Sequence, residues 1–318
     1  MTKYLVTGAA GFLGYHLADT LSREATSEVL CVDNFVRGEC DQLYDELCRR
    51  HNVTRLDVDL CDRTAVFSLP DDCEIIFHLA ALNGTQNFYE RPLDVLRCST
   101  LPTFWLLERF GSSSALRRFL YAGTSESYAS TVTRFGWEIP TGEDVPLSID
   151  DISNPRWSYA ASKMHGEVLT AQAARHYGKD FTIIRYHNAY GPRMGDRHVV
   201  PDFLMRAKRG ELALYGYEDT RSFLYVSDSV AATIALAKAD NAAGQVVNVG
   251  SDEEISILRL AELMLDICGM KGDIALHPSP KGSVRRRVPS ITKLRSLTGF
   301  SPKVSLREGL KRTIDYYL

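Results

Sequence analysis

In the stretch YAASK, Tyr159 stands four residues ahead of Lys163. On a helix that spacing puts both side chains on one face. An ammonium held near a phenol favours the tyrosinate. A phenol whose pKa falls from its ordinary value of about 10 becomes a base able to take a hydroxyl proton near neutral pH. The same spacing arises on any exposed helix, so the pair needs a setting before it carries chemistry. A second polar group, Thr124, Ser125 and Glu126 in AGTSESY, combines two hydroxyls with a carboxylate. After a strand, such a trio serves equally as a helix cap or a turn. The elements that position these residues decide between the readings.

The chain opens on a strand-like run, KYLVT (3–7), followed at once by TGAAGFLG, in which Gly8, Gly11 and Gly14 lead into a helix. Glycines there permit a tight turn, let backbone amides approach a pyrophosphate and let helix and strand pack closely. Asp33 ends the next strand, EVLCVD (28–33), 19 residues after Gly14. A carboxylate at that point accepts hydrogen bonds from both ribose hydroxyls of adenosine and repels a 2′-phosphate, which favours NAD over NADP. Arg37, close by, argues the other way.

Further strand-like runs, VTRLDV (53–58), EIIFHLA (74–80) and RRFLYAG (117–123), alternate with helical segments at 12–24, 39–50 and 92–110. The alternation predicts an α/β fold, a Rossmann-type doubly wound parallel sheet covered on both faces. A helix at 157–177 carries YAASK and feeds the strand FTIIRY (181–186). Beyond it, NAYGPRMGDRHVVP (188–201) opens a region of short helices and loops. A helix at 227–239, the strand GQVVNVG (244–250) and a last amphipathic helix at 305–317 follow. The expected division is a dinucleotide-binding domain over 1–180, to which 222–250 returns, and a smaller mixed α/β substrate lobe over 181–318. The two share a cleft.

Bulk properties narrow the field. A chain of 318 residues, 45% hydrophobic and 24% charged, reads as a soluble globular protein. A net charge of −3 gives no reason to expect nucleic acid, despite RRR at 285–287. No apolar run reaches the roughly 18 residues that span a bilayer. The chain begins on a strand rather than a signal peptide, so a cytoplasmic location is expected. Seven scattered cysteines with no C-x-x-C argue against a disulfide framework and against a bound metal.

With G-x-x-G-x-x-G in place and Tyr159 and Lys163 on a later helix, the chain resembles the short-chain dehydrogenase/reductase superfamily, in its extended, nucleotide-sugar-modifying branch. The resemblance covers nearly the whole chain. It implies an NAD site formed by Gly8, Gly11, Phe12, Leu13, Gly14, Asp33 and Asn34. Asp59 and Leu60 in DVDL resemble the pair that contacts adenine, and Leu79, Ala80 and Ala81 in HLAA resemble the segment that runs along the cofactor. It further implies that Tyr159 is the base beside the nicotinamide, that Lys163 and the positive nicotinamide ring together favour its tyrosinate, that Lys163 also holds the ribose, and that Thr124 bonds the hydroxyl being oxidised. Ser125 and Glu126 then face the neighbouring carbons. Asn188 and Arg193 in RYHNAYGPRMG, Arg221 in TRSFLYVSD and Arg287 in RRRVPSI match residues that reach a sugar-nucleotide diphosphate, for which guanidinium forks are suited. Asp228 reads as structural, fixing backbone near Arg221. Two departures lie near the sugar. LNGTQNFYERP (82–92), with Asn83 as a substrate contact, replaces a valine- and serine-containing stretch, and Ser99 stands where an asparagine is usual.

The implied first step is oxidation at C4 of a nucleotide-linked sugar, giving a 4-keto intermediate. Hydride return to the other face makes a 4-epimerase. Loss of CO₂ from a sugar with a C5 carboxylate makes a decarboxylase, and loss of the C6 hydroxyl makes a 4,6-dehydratase. Dehydratases that resemble this chain carry an aspartate where Ser125 stands, which disfavours that outcome. The sequence reading prefers an epimerase, with a decarboxylase as the alternative. A non-catalytic NAD sensor is expected to lose Tyr159, Lys163 or Thr124, and all three are present. The resemblance also implies a homodimer, built on the helices at 92–110 and 157–177.

Overall fold

The structure, a computed structural model, describes residues 1–196, 198–279 and 284–318. Seven parallel strands form the central sheet in the order β11-β6-β5-β4-β1-β2-β3. They are β1 (Thr2–Thr7), β2 (Ser27–Asp33), β3 (Val53–Asp57), β4 (Ile75–His78), β5 (Arg118–Thr124), β6 (Asp180–Tyr186) and β11 (Gln245–Val249). Helices cover both faces, so the central strands are apolar on both sides rather than alternating. All seven residues of β5 are buried. Successive side chains still face opposite ways. Tyr4, Val6 and Leu120 pack under α1 (Phe12–Leu21), α9 (Val226–Lys238) and α11 (Thr292–Thr298), while Leu5, Phe119 and Tyr121 pack under α3 (Arg63–Phe67) and α5 (Pro92–Gly111).

The helix that carries Tyr159 and Lys163 is α7 (Trp157–Tyr177), which packs along α5 and ends at Gly178 with φ 64°. Gly166 is what lets it lie close on β5, because a Cβ there would run into the Tyr121 phenol. Shorter helices are α2 (Gln42–Cys48), capped by Asp41, α4 (Thr85–Glu90) and α6 (Ala129–Phe135). The expected segments at 53–58, 157–177 and 305–317 fold within a residue or two of those bounds. The helices α3, α4 and α6 are too short to show periodicity, and the sequence reading left them out.

The boundary expected at residue 180 falls one strand early. β6 pairs with both β5 and β11 inside the central sheet. The returning segment reaches further than expected too, since Leu294 of α11 also packs in the core beneath that sheet.

The C-terminal lobe has its own core around Tyr190, Phe203, Leu260 and Leu310. Its helices are α8 (Val199–Lys208), α10 (Ile257–Cys268) and α12 (Leu306–Tyr317). Its strands are short: β7 (Ala189–Tyr190) with β10 (Leu224–Tyr225), β8 (Ala213–Tyr215) with β13 (Ala275–His277), and β9 (Thr220–Ser222) between β12 (Glu254–Ser256) and β14 (Arg286–Arg287). The β9–β14 register sets Arg287 opposite Arg221, which aims two guanidinium groups at one place. Among the described residues no helix is long and apolar enough to cross a membrane.

Candidate active site

The glycine turn is built for a close ligand. Gly8 has φ +70°, and a Cβ on it would sit 2.9 Å from the Ala80 amide. A Cβ on Gly14 would overlap the Gly8 carbonyl. Gly11 precedes α1 without a side-chain cap, so the first-turn amides of that helix remain directed at whatever occupies the groove. Asp33 is buried, its carboxylate accepting from the Ala10 amide at 2.9 Å and the Phe35 amide at 2.9 Å. Gly38, which the sequence reading did not single out, lets the following loop fold onto that carboxylate: a Cβ there would meet Asp33 Oδ2 at 2.9 Å. Asn34 bonds Asp59 at 3.4 Å, and Leu60 is buried beside it.

The wall formed by Leu79, Ala80 and Ala81 is held from behind. Thr7 Oγ1 accepts from the Leu79 amide at 3.1 Å and the Ala80 amide at 3.2 Å, and it bonds His78 Nδ1 at 2.8 Å. His78 Nε2 bonds Thr103 Oγ1 at 3.0 Å. Burial, with Lys163 nearby, lowers His78 to about 3, so this ring is a neutral brace and not a proton carrier. The glycine cradle, the uncapped helix and the braced carboxylate together fit a dinucleotide with an unmodified adenosine ribose.

Tyr159, Lys163 and Thr124 meet at the far end of this groove. The Thr124 and Asn83 side chains both lie at the Tyr159 phenol and favour its tyrosinate. Phe88 of α4 stacks on the phenol ring at 5.0 Å and 13°. Lys163 Nζ donates to the Ala122 carbonyl at 2.8 Å and lies 4.8 Å from the Tyr121 ring and 5.9 Å from the Tyr159 ring. Burial lowers its ammonium to about 8.

The expected lowering of the phenol involves the nicotinamide ring as well as Lys163, and the chain alone acts in the other direction. The chain's own groups push the Tyr159 phenol up to about 12. Burial does most of this and the Glu126 carboxylate adds to it, against Thr124, Arg37 and Asn83, which favour the tyrosinate.

Glu126 sits in a clamp. Arg287 Nη1 reaches its Oε1 at 2.6 Å and Arg156 Nη2 its Oε2 at 3.4 Å, with Arg221 in electrostatic reach. Burial alone would raise this carboxyl, but the arginines outweigh it and hold it below the usual range. Arg221 also pairs loosely with Asp219 at 3.8 Å, and burial together with Arg287 lowers it to about 10. The sequence reading missed Arg156. Its signal was position, one helical turn ahead of Tyr159. Ser125 is buried and lines a small cavity shared with Tyr128, His187 and Arg287. Behind it, Arg185 and Glu167 form a buried ion pair at 2.7 Å, and Arg185 donates to the Tyr128 hydroxyl at 2.9 Å.

Of the expected diphosphate contacts, Arg193 is fully engaged within the chain and Asn188 partly so. Arg193 is buried and binds Asp41 through two bonds, of 2.8 and 3.0 Å, donates to the Glu39 carbonyl at 3.1 Å and stacks 4.1 Å from the Tyr15 ring. It staples the C-terminal lobe to the loop after β2, because its backbone at φ 63° turns the side chain inward. The Asn188 side chain donates to the Ser222 carbonyl at 2.9 Å, tying β7 to the segment before β10, and leaves its amide oxygen for a ligand. Asp228 accepts from the Lys303 and Val304 amides, so it fixes the approach to α12 and not the backbone at Arg221.

Residues 4–250 match the family model of the NAD dependent epimerase/dehydratase family. The chain belongs to that family. It is an enzyme of the extended short-chain dehydrogenase/reductase type, and its cofactor is NAD. It is 32% identical to a UDP-N-acetyl-alpha-D-glucosaminuronate decarboxylase of Bacillus cytotoxicus, over 99% of this chain and 97% of that protein. It is also 32% identical to UDP-glucuronic acid decarboxylase 1 of Xenopus tropicalis, over 99% of this chain and 72% of that protein. Among solved structures, the UDP-glucuronic acid 4-epimerase of Bacillus cereus in complex with UDP-glucuronic acid and NAD superposes with a TM-score of 0.89 at 26% identity, covering 99% of each chain. The UDP-glucose 4-epimerase of Thermotoga maritima does so with 0.87 at 30% identity, covering 99% of this chain and 98% of that one.

Proposed function

We propose that this enzyme oxidises C4 of a nucleotide-diphosphate uronic acid and decarboxylates the resulting 4-keto sugar. The carrying observation is the Arg156–Glu126–Arg287 clamp beside Tyr159, which sets cations where the C5 side of a sugar held by Thr124 and Tyr159 would lie. NAD, when bound, supplies the hydride acceptor and later the hydride donor. Tyr159 takes the C4 hydroxyl proton while Thr124 hydrogen-bonds the same oxygen. The product is a β-keto acid. Its carboxylate exchanges into the clamp, and the arginines hold it out of the plane of the C4 ketone. The C5–carboxylate bond then breaks with its electron pair passing toward O4. Thr124 and the protonated Tyr159 donate to that developing enolate oxygen. C5 takes a proton from water, CO₂ leaves, and hydride return at C4 closes a redox-neutral cycle. We assign Arg221 to the diphosphate and the Asn188 amide oxygen to a ribose hydroxyl.

Epimerisation, which the sequence reading preferred, is the second reading. The solved relatives named above are 4-epimerases, and hydride return to the opposite face needs no acid or base beyond Tyr159. Incubation with UDP-glucuronic acid and NAD, followed by NMR, separates the two: decarboxylation gives a UDP-pentose and CO₂, epimerisation a UDP-uronate inverted at C4. A homodimer belongs to the same reading, since Leu93, Leu96 and Phe104 of α5 and Val168 of α7 remain exposed. Light scattering at micromolar concentration tests it, and a monomer would refute it.

A further inference from the structure

The segment 82–92, where the chain departs from the pattern it otherwise resembles, folds over the catalytic phenol and brings a second loop with it. Asn83 is the junction. Its side chain lies at the Tyr159 phenol and favours the tyrosinate, while its carbonyl accepts from Arg37 Nη1 at 2.7 Å and from Asn87 Nδ2 at 2.8 Å. Gly84 follows with φ +106°, and a Cβ on it would stand 4.0 Å from Arg37 Nη2. Arg37 arrives from the loop after β2, at the adenosine end of the groove, and crosses to the sugar end. That loop is braced along its length. Asp33 accepts from the Phe35 amide, the Arg55 guanidinium lies 4.4 Å from the Phe35 ring, the Glu39 amide bonds the Ala10 carbonyl at 3.2 Å, and Arg193 holds Glu39 and Asp41.

We propose that Arg37 is a positioning residue for proton transfer at Tyr159: by gripping the Asn83 carbonyl it fixes the Asn83 amide on the phenol oxygen and sets a permanent positive charge over that pocket. The inference rests on the reading of Tyr159 as the base. It gives the loop after β2 a part in catalysis beyond binding adenosine. It also removes the argument that Arg37 reads a 2′-phosphate, because the guanidinium lies at Asn83.

Among the described residues, several charged or titratable groups bear on the phenol. Glu126 opposes the tyrosinate from the segment after β5 and is itself held by Arg287 and Arg156. Tyr121 faces it from β5, and Lys163 lies below it on α7. Above about pH 8 Lys163 loses its proton, whereas a guanidinium keeps its charge throughout. Arg37 and Asp196 both act electrostatically on His198. Arg37 is exposed at the cleft mouth, so water screens it and its effect is moderate.

The test is an ultraviolet titration of tyrosinate at about 295 nm with saturating NAD and no substrate, each protein measured against its own Tyr159→Phe counterpart. Arg37→Gln should raise the Tyr159 midpoint by on the order of half a unit to one unit, with Arg37→Lys between the two. Asn83→Ala should raise it as well. The acid limb of the pH–rate profile should move upward by the same amount. A midpoint unmoved in Arg37→Gln overturns the proposal, as does an Arg37→Gln enzyme whose only change is a gain in NADP binding. Failure of every nucleotide sugar to be turned over would instead defeat the functional reading, and the titration would still decide the role of Arg37.

Discussion

Replacing Lys163 with Met tests whether this buried lysine is held at a cost to the fold. Lys163 is buried, and burial brings its ammonium from 10.5 to about 8. The unfolded chain therefore binds more protons than the folded one between pH 8 and 10.5, and stability rises with pH across that window. Below about pH 8 the burial cost is complete. The difference of about 2.5 pH units corresponds to about 3 kcal/mol. Met fills the space without charge but leaves the Ala122 carbonyl without its donor, which returns about 1–2 kcal/mol. The nucleotide-free Lys163→Met protein should therefore be more stable than the parent by about 1–2 kcal/mol at pH 7 and level with it near pH 9. Toward pH 10 it should become the less stable of the two, while turnover is lost throughout. Urea denaturation of both proteins from pH 7 to 10 measures this. A difference that stays flat across the range, or a Met variant less stable already at pH 7, refutes the reasoning.

Arg193→Ala should lower unfolding free energy by on the order of 2 kcal/mol, less than a fully buried pair because Asp41 keeps contact with water, and should leave nucleotide-sugar affinity nearly unchanged. Binding calorimetry that showed the reverse order would return Arg193 to the diphosphate site. Glu126→Gln should cost stability at neutral pH by leaving Arg156, Arg221 and Arg287 to repel one another. Because the folded carboxyl titrates below its unfolded value, the deficit should shrink as pH falls through the folded value, which thermal melts between pH 3 and 7 would follow. Gly166→Ala should destabilise by about 1–3 kcal/mol and lift α7 from β5, lowering turnover with little change in NAD binding.

The glycine turn, Asp33 and the strand–helix alternation were legible because each is local: residue type and spacing within one βα unit dictate them. Tyr159 and Lys163 were legible once that frame placed their helix. The Glu126 clamp was half legible. Arg287 and Arg221 carried motifs, but their convergence depends on the β9–β14 register, and Arg156 has no motif of its own. Arg193 shows the opposite failure. Its motif pointed to phosphate, while a left-handed backbone and a carboxylate contributed by Asp41, 152 residues away in sequence, turn it inward. The desolvation that raises the phenol in the nucleotide-free chain was not legible, because it depends on packing from α4, which no periodicity announced.

The central claim is that Tyr159 accepts a proton as C4 of a nucleotide sugar is oxidised within this groove. Mixing the enzyme and NAD with UDP-glucuronic acid in a stopped-flow cell and recording absorbance at about 340 nm tests it most directly. The account predicts a transient rise from bound NADH that decays as product forms, and no rise in Tyr159→Phe despite retained NAD binding. A Tyr159→Phe enzyme that forms NADH as fast as the parent would contradict it.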